Sequence, residues 1–223
     1  MDSHKTLQEI KSLTSAMVKL GLSDEQYPPS TNGDPRNIFE ITVKNNRALT
    51  SALKNISYRE LHDSLSEAKC FNVKLIDGAL LCLRYRFHRG KVAEHCLAYW
   101  PSPDLEHFQN NPDLYLSEDE IYADIIARNL VPCPIRFDFN ADTGRYVEVH
   151  HPYSHLTLGQ YENCRIPVCS PVTPLVFGGF ILRNFYNTAS RRFSGKFPSS
   201  ALRFAQTISR KEQGIPHIVL TKG

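Results

Sequence analysis

Two apolar-rich runs flank an Asp-Gly pair. Phe71-Asn72-Val73-Lys74-Leu75-Ile76 leads into Asp77-Gly78, and Ala79-Leu80-Leu81-Cys82-Leu83-Arg84-Tyr85-Arg86-Phe87 follows. Asp-Gly suits the tight turns whose twist matches that of paired antiparallel strands, so the stretch reads as a β-hairpin. Arg89-Gly90-Lys91 turns the chain again into Val92 to Trp100, completing a three-stranded antiparallel meander. Any fold this chain adopts has to be built around that sheet.

Helical spacing brackets the meander. Leu7, Ile10, Leu13, Met17, Val18 and Leu20 predict a helix over residues 4–20, stopped by Gly21. Residues 27–35 are rich in Pro, Ser, Asn and Gly and read as a loop that lets this helix move relative to the body. Ile38 to Val43 is a short strand or the end of that loop, and Tyr58 to Lys69 is a helix carrying Leu61 and Leu65. Ser117-Glu118-Asp119-Glu120 opens a helix running to about Leu130. Ile135 to Asn140 is a strand, Asp142-Thr143-Gly144 a turn, Arg145 to His151 a second strand, and Ser154 to Gln160 a candidate third. An apolar helix from Thr173 to about Tyr186 precedes a basic loop at Arg191 to Pro198 and a last helix from Ser199 to about Lys211. The order predicts an α+β fold, with a mainly antiparallel sheet (meander plus hairpin) flanked by helices and a basic helical C-terminal segment. Residues 1–35 form the N-terminal helix and Pro-rich loop, and 36–223 a single domain.

Charge is distributed unevenly. The net charge of +3 over 223 residues conceals eight basic residues against one acid, Glu212, after Ser170. Arg191, Arg192 and Arg203 belong to that segment, which is suited to a polyanion or to the acidic surface of a partner protein. No apolar run approaches the roughly 20 residues that span a bilayer, and the N-terminus has no signal-peptide pattern. A soluble cytoplasmic protein with no membrane partner is expected. Six scattered cysteines form no CxxC pair and read as small buried residues of a reducing compartment.

The densest chemistry lies at His150-His151-Pro152-Tyr153-Ser154-His155, where three of nine histidines fall within six residues. Strand alternation sends Arg136 and Asp138 to one face, with Phe137 and Phe139 on the other. His151 and His155 would act as general base and acid, since imidazole titrates near neutrality. Arg136 or Arg165 would neutralise a developing phosphate charge, and Asp138 would orient an imidazole. Tyr153 or Tyr161 would stack on a base, and His150, Arg191, Arg192 and Arg203 would contact substrate. This metal-independent reading is favoured. Two others stay open: zinc on His151, His155, Cys164 and Cys169, and a divalent cation on Asp138 and Glu148. A framework role, with the histidines hydrogen-bonded to backbone, is the structural alternative.

Several strings resemble an uncharacterised bacterial family, domain of unknown function 2290. They are Ile76-Asp77-Gly78-Ala79-Leu80, Tyr99-Trp100-Pro101-Ser102-Pro103, Pro134-Ile135-Arg136-Phe137-Asp138-Phe139 and Phe180-Ile181-Leu182-Arg183-Asn184-Phe185-Tyr186. The most specific is an HPxSHLxLGxxxxCRIP motif from His151 to Pro167. The likeness covers roughly residues 60–190 and brings no catalytic residues to carry over. Some small toxins of bacterial toxin–antitoxin pairs also place an Arg/Tyr-Asp strand shortly before an HP-containing histidine cluster. The expectation is therefore a nucleic-acid-acting protein, a nuclease-like effector of a bacterial defence or toxin system such as phage defence. The alternatives are a non-catalytic interaction subunit of a defence complex, docking through its N-terminal helix or basic segment, and an enzyme acting on a small phosphorylated molecule. No Gly-rich phosphate loop supports the last.

Overall fold

The computed structural model describes residues 2–45, 56–103, 133–159, 163–193 and 195–220. The helix predicted from Ser117 to Leu130, and Tyr161, lie outside these residues. The chain opens with α1 (Asp2–Lys19) and three short strands, β1 (Ser23–Gln26), β2 (Ser30–Gly33) and β3 (Ile38–Thr42). Helix α2 (Tyr58–Glu67) precedes the meander of β4 (Val73–Leu75), β5 (Leu80–His88) and β6 (Lys91–Trp100). Strands β7 (Ile135–Asn140), β8 (Ser154–Leu158) and β9 (Arg165–Pro167) follow, then α3 (Pro174–Phe185), α4 (Asn187–Phe193) and α5 (Arg210–Gln213). The strands join in the order β1-β4-β5-β6-β7-β8-β9, with β3 on β5 and β2 on β3. Every pairing between these strands is antiparallel. The α+β architecture is the one the meander implies.

Local chemistry accounts for the element boundaries. Gly78 takes a positive φ of 81°, a conformation that costs glycine little, and Asp77 Oδ1 accepts the Ala79 N–H at 3.1 Å. Tyr186, at the end of α3, donates its hydroxyl to Asp77 Oδ2 at 2.7 Å and ties that turn to the helix. Ser57 and Glu60 form a capping box at the start of α2. Thr173 caps α3, and Pro174 occupies its first turn, where no N–H is needed.

The sheet carries a different layer on each face. On one, Leu83, Tyr85, Leu97 and Phe137 pack against Ile10, Leu13 and Met17 of α1 and Phe177 and Ile181 of α3. Because α1 contributes fully buried side chains, it is an integral wall of this core. On the other face, Leu80, Cys82, Ala98 and Trp100 pack against Leu61 and Leu65 of α2. Beyond α2 that second face turns polar, and the candidate site lies there.

Four segments depart from the sequence reading. Arg145 to His151 is not a strand: it is a run of turns closed by a single bridge between Val147 and His151. Val149 has φ 72°, rare for a β-branched residue, which breaks the extended run, and its N–H meets Glu212 Oε1 at 3.3 Å. Residues 199–209 are not helical either. Leu202 is buried, Arg203 exposed and Phe204 half-buried, the alternation of an extended chain. The Ser200 hydroxyl and Leu202 N–H bind Glu9, and the Thr207 N–H binds the Cys169 carbonyl. Only α5 forms, capped by Ser209 and Glu212. The first residues assigned to a basic loop, 191–193, instead end helix α4, and the Pro-rich loop holds β2, which pairs with β3, just after β1, which pairs with β4.

Candidate functional site

Antiparallel register brings the site together. Arg84 on β5 stands opposite Cys96 on β6, Cys96 opposite Asp138 on β7, and Asp138 opposite His155 on β8. Side chains opposite one another across a sheet share a face, so this row crosses four strands on the polar side. Along β7 burial alternates as predicted, with Arg136 and Asp138 partly exposed and Phe137 and Phe139 buried. Phe137 meets Phe177 and Phe180 of α3 on the opposite side.

Arg136 Nε donates to Asp138 Oδ2 at 2.7 Å, and the side chains are 29% and 22% exposed. Burial works against the Arg136 charge, and the Asp138 carboxylate with Cys96 behind it more than offsets that, so the guanidinium is held in its charged form. His155 Nε2 lies 3.9 Å from the same carboxylate oxygen. Its Nδ1 is 2.9 Å from the Pro152 carbonyl. A carbonyl only accepts, so Nδ1 carries the proton, and Nε2 of the neutral ring makes no hydrogen bond to the Asp138 carboxylate 3.9 Å away. Burial depresses the His155 pKa; the Asp138 charge and the Pro152 bond oppose it, while His151 and Arg165 add to the depression. The ring is 5% exposed. His151, half-buried, meets it edge-to-face at 5.1 Å between centroids.

The other predicted residues divide into neighbours and strangers. Arg165 pairs in register with Thr157, itself opposite Arg136, and so borders the cluster. Tyr153 stacks on Tyr146 at 4.2 Å with the planes 7° apart, so one ring face is already covered. His150 is exposed at the tip of the turn. Arg191 and Arg192 on α4, and Arg203 beyond it, lie with α1 and α3 on the Phe137 side. The sheet separates them from the histidines. The zinc quartet does not assemble, since Cys169 Sγ accepts the Leu220 N–H at 3.2 Å. Glu148 faces Lys211 at 2.9 Å and not Asp138. Among the described residues no three His, Cys, Asp or Glu side chains gather as a metal site.

Sequence reasoning missed Cys96, Thr157 and the Arg84–Glu94 ion pair, at 3.2 Å, all on this face. Counting register across the meander would have found Cys96. Its thiol pKa is pushed up to about 12, chiefly by burial and then by the Asp138 charge, which favours the protonated thiol over the thiolate. The Thr157 hydroxyl is buried without a hydrogen-bond partner. No helix among the described residues is long and apolar enough to cross a membrane.

Fold and site together define an α+β protein whose antiparallel sheet carries an Arg–Asp–His cluster on one face. The chain belongs to the family described as uncharacterized conserved protein, DUF2290, whose model matches residues 22–220. The match runs well beyond the 60–190 stretch over which the motifs are recognisable. No curated protein and no solved structure matches the chain.

Proposed function

We propose that the Arg136–Asp138–His155 face, with His151 and Arg165 beside it, acts on nucleic acid as a metal-independent phosphodiesterase. The observation that carries this is the locked orientation of His155. Nδ1 donates to the Pro152 carbonyl, which leaves Nε2 as the basic nitrogen, 3.9 Å from a carboxylate already paired with an arginine. A neutral imidazole held in one tautomer, with Nε2 unprotonated, has the form a general base needs. His151, at ring contact and more exposed, is the matching acid, while Arg136 and Arg165 offer charge to a phosphate. In a cell such an activity fits a nuclease-like effector of a bacterial conflict system.

Labelled RNA and DNA incubated with the protein, with and without a chelator, test this. Cleavage should persist in chelator and fall by about 10²-fold or more in His151→Ala and His155→Ala, the usual contribution of a positioned acid or base. Intact nucleic acid in every wild-type reaction would remove the catalytic reading. The 5% exposure of His155 favours a second reading, in which the ring is framework and the protein is a non-catalytic interaction subunit. In that case both variants lose thermal stability and no cleavage is seen at all.

A further inference from the structure

The helical side of the sheet holds a cationic groove that the linear sequence conceals. Between α1 and the turn after α4 lies a depression of about 520 Å³, flanked by Lys11, Ser15, Lys19 and Lys196 over Phe193. Among the described residues no carboxylate lines it. The acids of α1 are Asp2, in its first turn, and Glu9, which is turned inward to Ser200. From Ser170 to Lys211 the chain has no acid at all. A second depression of about 380 Å³ shares Pro198 with the first and adds Arg183 and Arg203. All five of these cationic side chains are exposed. The charge excess read from the C-terminal quarter is thus extended by two lysines from the opposite end of the chain.

We propose that this groove binds the phosphate backbone of a nucleic acid, on a surface separate from the histidine cluster. Lys11 and Lys19 stand about 12 Å apart along the helix axis, at 1.5 Å per residue. That span covers about three to four phosphates of a duplex strand, so the pair fits a polymer better than a single phosphate group. The lining offers lysine and serine side chains, whose contacts to phosphates carry no sequence information, so the binding is independent of sequence. The inference shares its class of partner with the phosphodiesterase reading, but none of the cluster's residues.

The test is fluorescence anisotropy with short labelled RNA and DNA, single-stranded and duplex, across a salt series. Binding should weaken linearly in logarithmic salt. The triple variant Lys11→Ser, Lys19→Ser, Lys196→Ser should lose about tenfold or more in affinity and reduce the slope by about 2 to 3, while the triple arginine variant retains both. Arg86→Ser, on β5 and outside both the groove and the histidine cluster, should bind as the wild type does, and cleavage by the lysine variant is scored separately so that the two surfaces are told apart. The proposal is overturned if the wild type shows no salt-sensitive binding, or if the serine variant, with an unchanged melting temperature, binds equally well. Competition by poly-glutamate as strong as by nucleic acid would also overturn it, and would assign the groove to an acidic protein.

Discussion

His95 illustrates what one residue's surroundings can demand. It is an isolated histidine on β6, at a position its sequence neighbours do not distinguish. Buried to 1% exposure, it accepts the Val172 N–H at Nε2, 2.9 Å away, an arrangement that needs the neutral ring. Burial lowers its pKa from 6.5 to about 4, against the pull of Asp138. The unfolded chain therefore takes up this proton first. Stability is fully present above about pH 6.5, falls as pH drops from there to about 4, and loses up to about 3 kcal/mol. His155, also depressed by burial, adds a loss in the same direction. Urea denaturation at successive pH values measures the decline, and His95→Gln should flatten it. A wild-type stability that is level across that window would contradict the assignment. Val172 is 77 residues from His95, so nothing local in the sequence announces the pair.

At the scale of elements, α1 and α3 meet through glycine. A Cβ added to Gly178 would fall within the radius of Leu13 Cδ1 and stand 3.1 Å from Phe197 Cζ. Leu13 is fully buried and has little room to yield. Gly178→Ala is expected to destabilise the protein by about 1–3 kcal/mol, despite the better helix propensity of alanine. Chemical denaturation settles it, and an unchanged or raised midpoint would mean that the two helices part more easily than their packing implies. Elements whose signals are local were legible: the meander, the capped α2, the Thr173-Pro174 start of α3, and the alternation of Arg136 and Asp138. The strand assigned to Arg145–His151 and the helix assigned to Ser199–Lys211 were not. Both lie where distant partners override local preference. Glu212 holds Val149 in its left-handed conformation, and Glu9 and Cys169 hold the 200–208 segment extended.

Over the whole molecule, Glu9 is the joint between the two ends of the chain. Its carboxylate accepts from the Ser200 hydroxyl at 2.6 Å and from the N–H groups of Leu175 and Leu202, both at 3.4 Å. It thereby binds α1 to the start of α3 and to the segment beneath the basic face. Glu9→Ala should cost about 2–4 kcal/mol, because the buried N–H groups of Leu175 and Leu202 lose their acceptor while the Ser200 hydroxyl can turn to the Leu202 carbonyl at 3.2 Å. It should also loosen the 199–209 segment, read as faster amide exchange there than at the meander. Equal exchange in both regions would show that the segment is held by its apolar contacts alone. The residues alone sufficed for the sheet's centre, the polar face of β7 and the likeness to a family, because alternation, turn chemistry and a motif are each written within a few positions. Folding decided which histidine meets Asp138, and that the C-terminal arginines lie across the sheet from it and beside the lysines of α1. Those arrangements depend on cross-strand register and on contacts between residues as much as 193 positions apart, which no local pattern encodes.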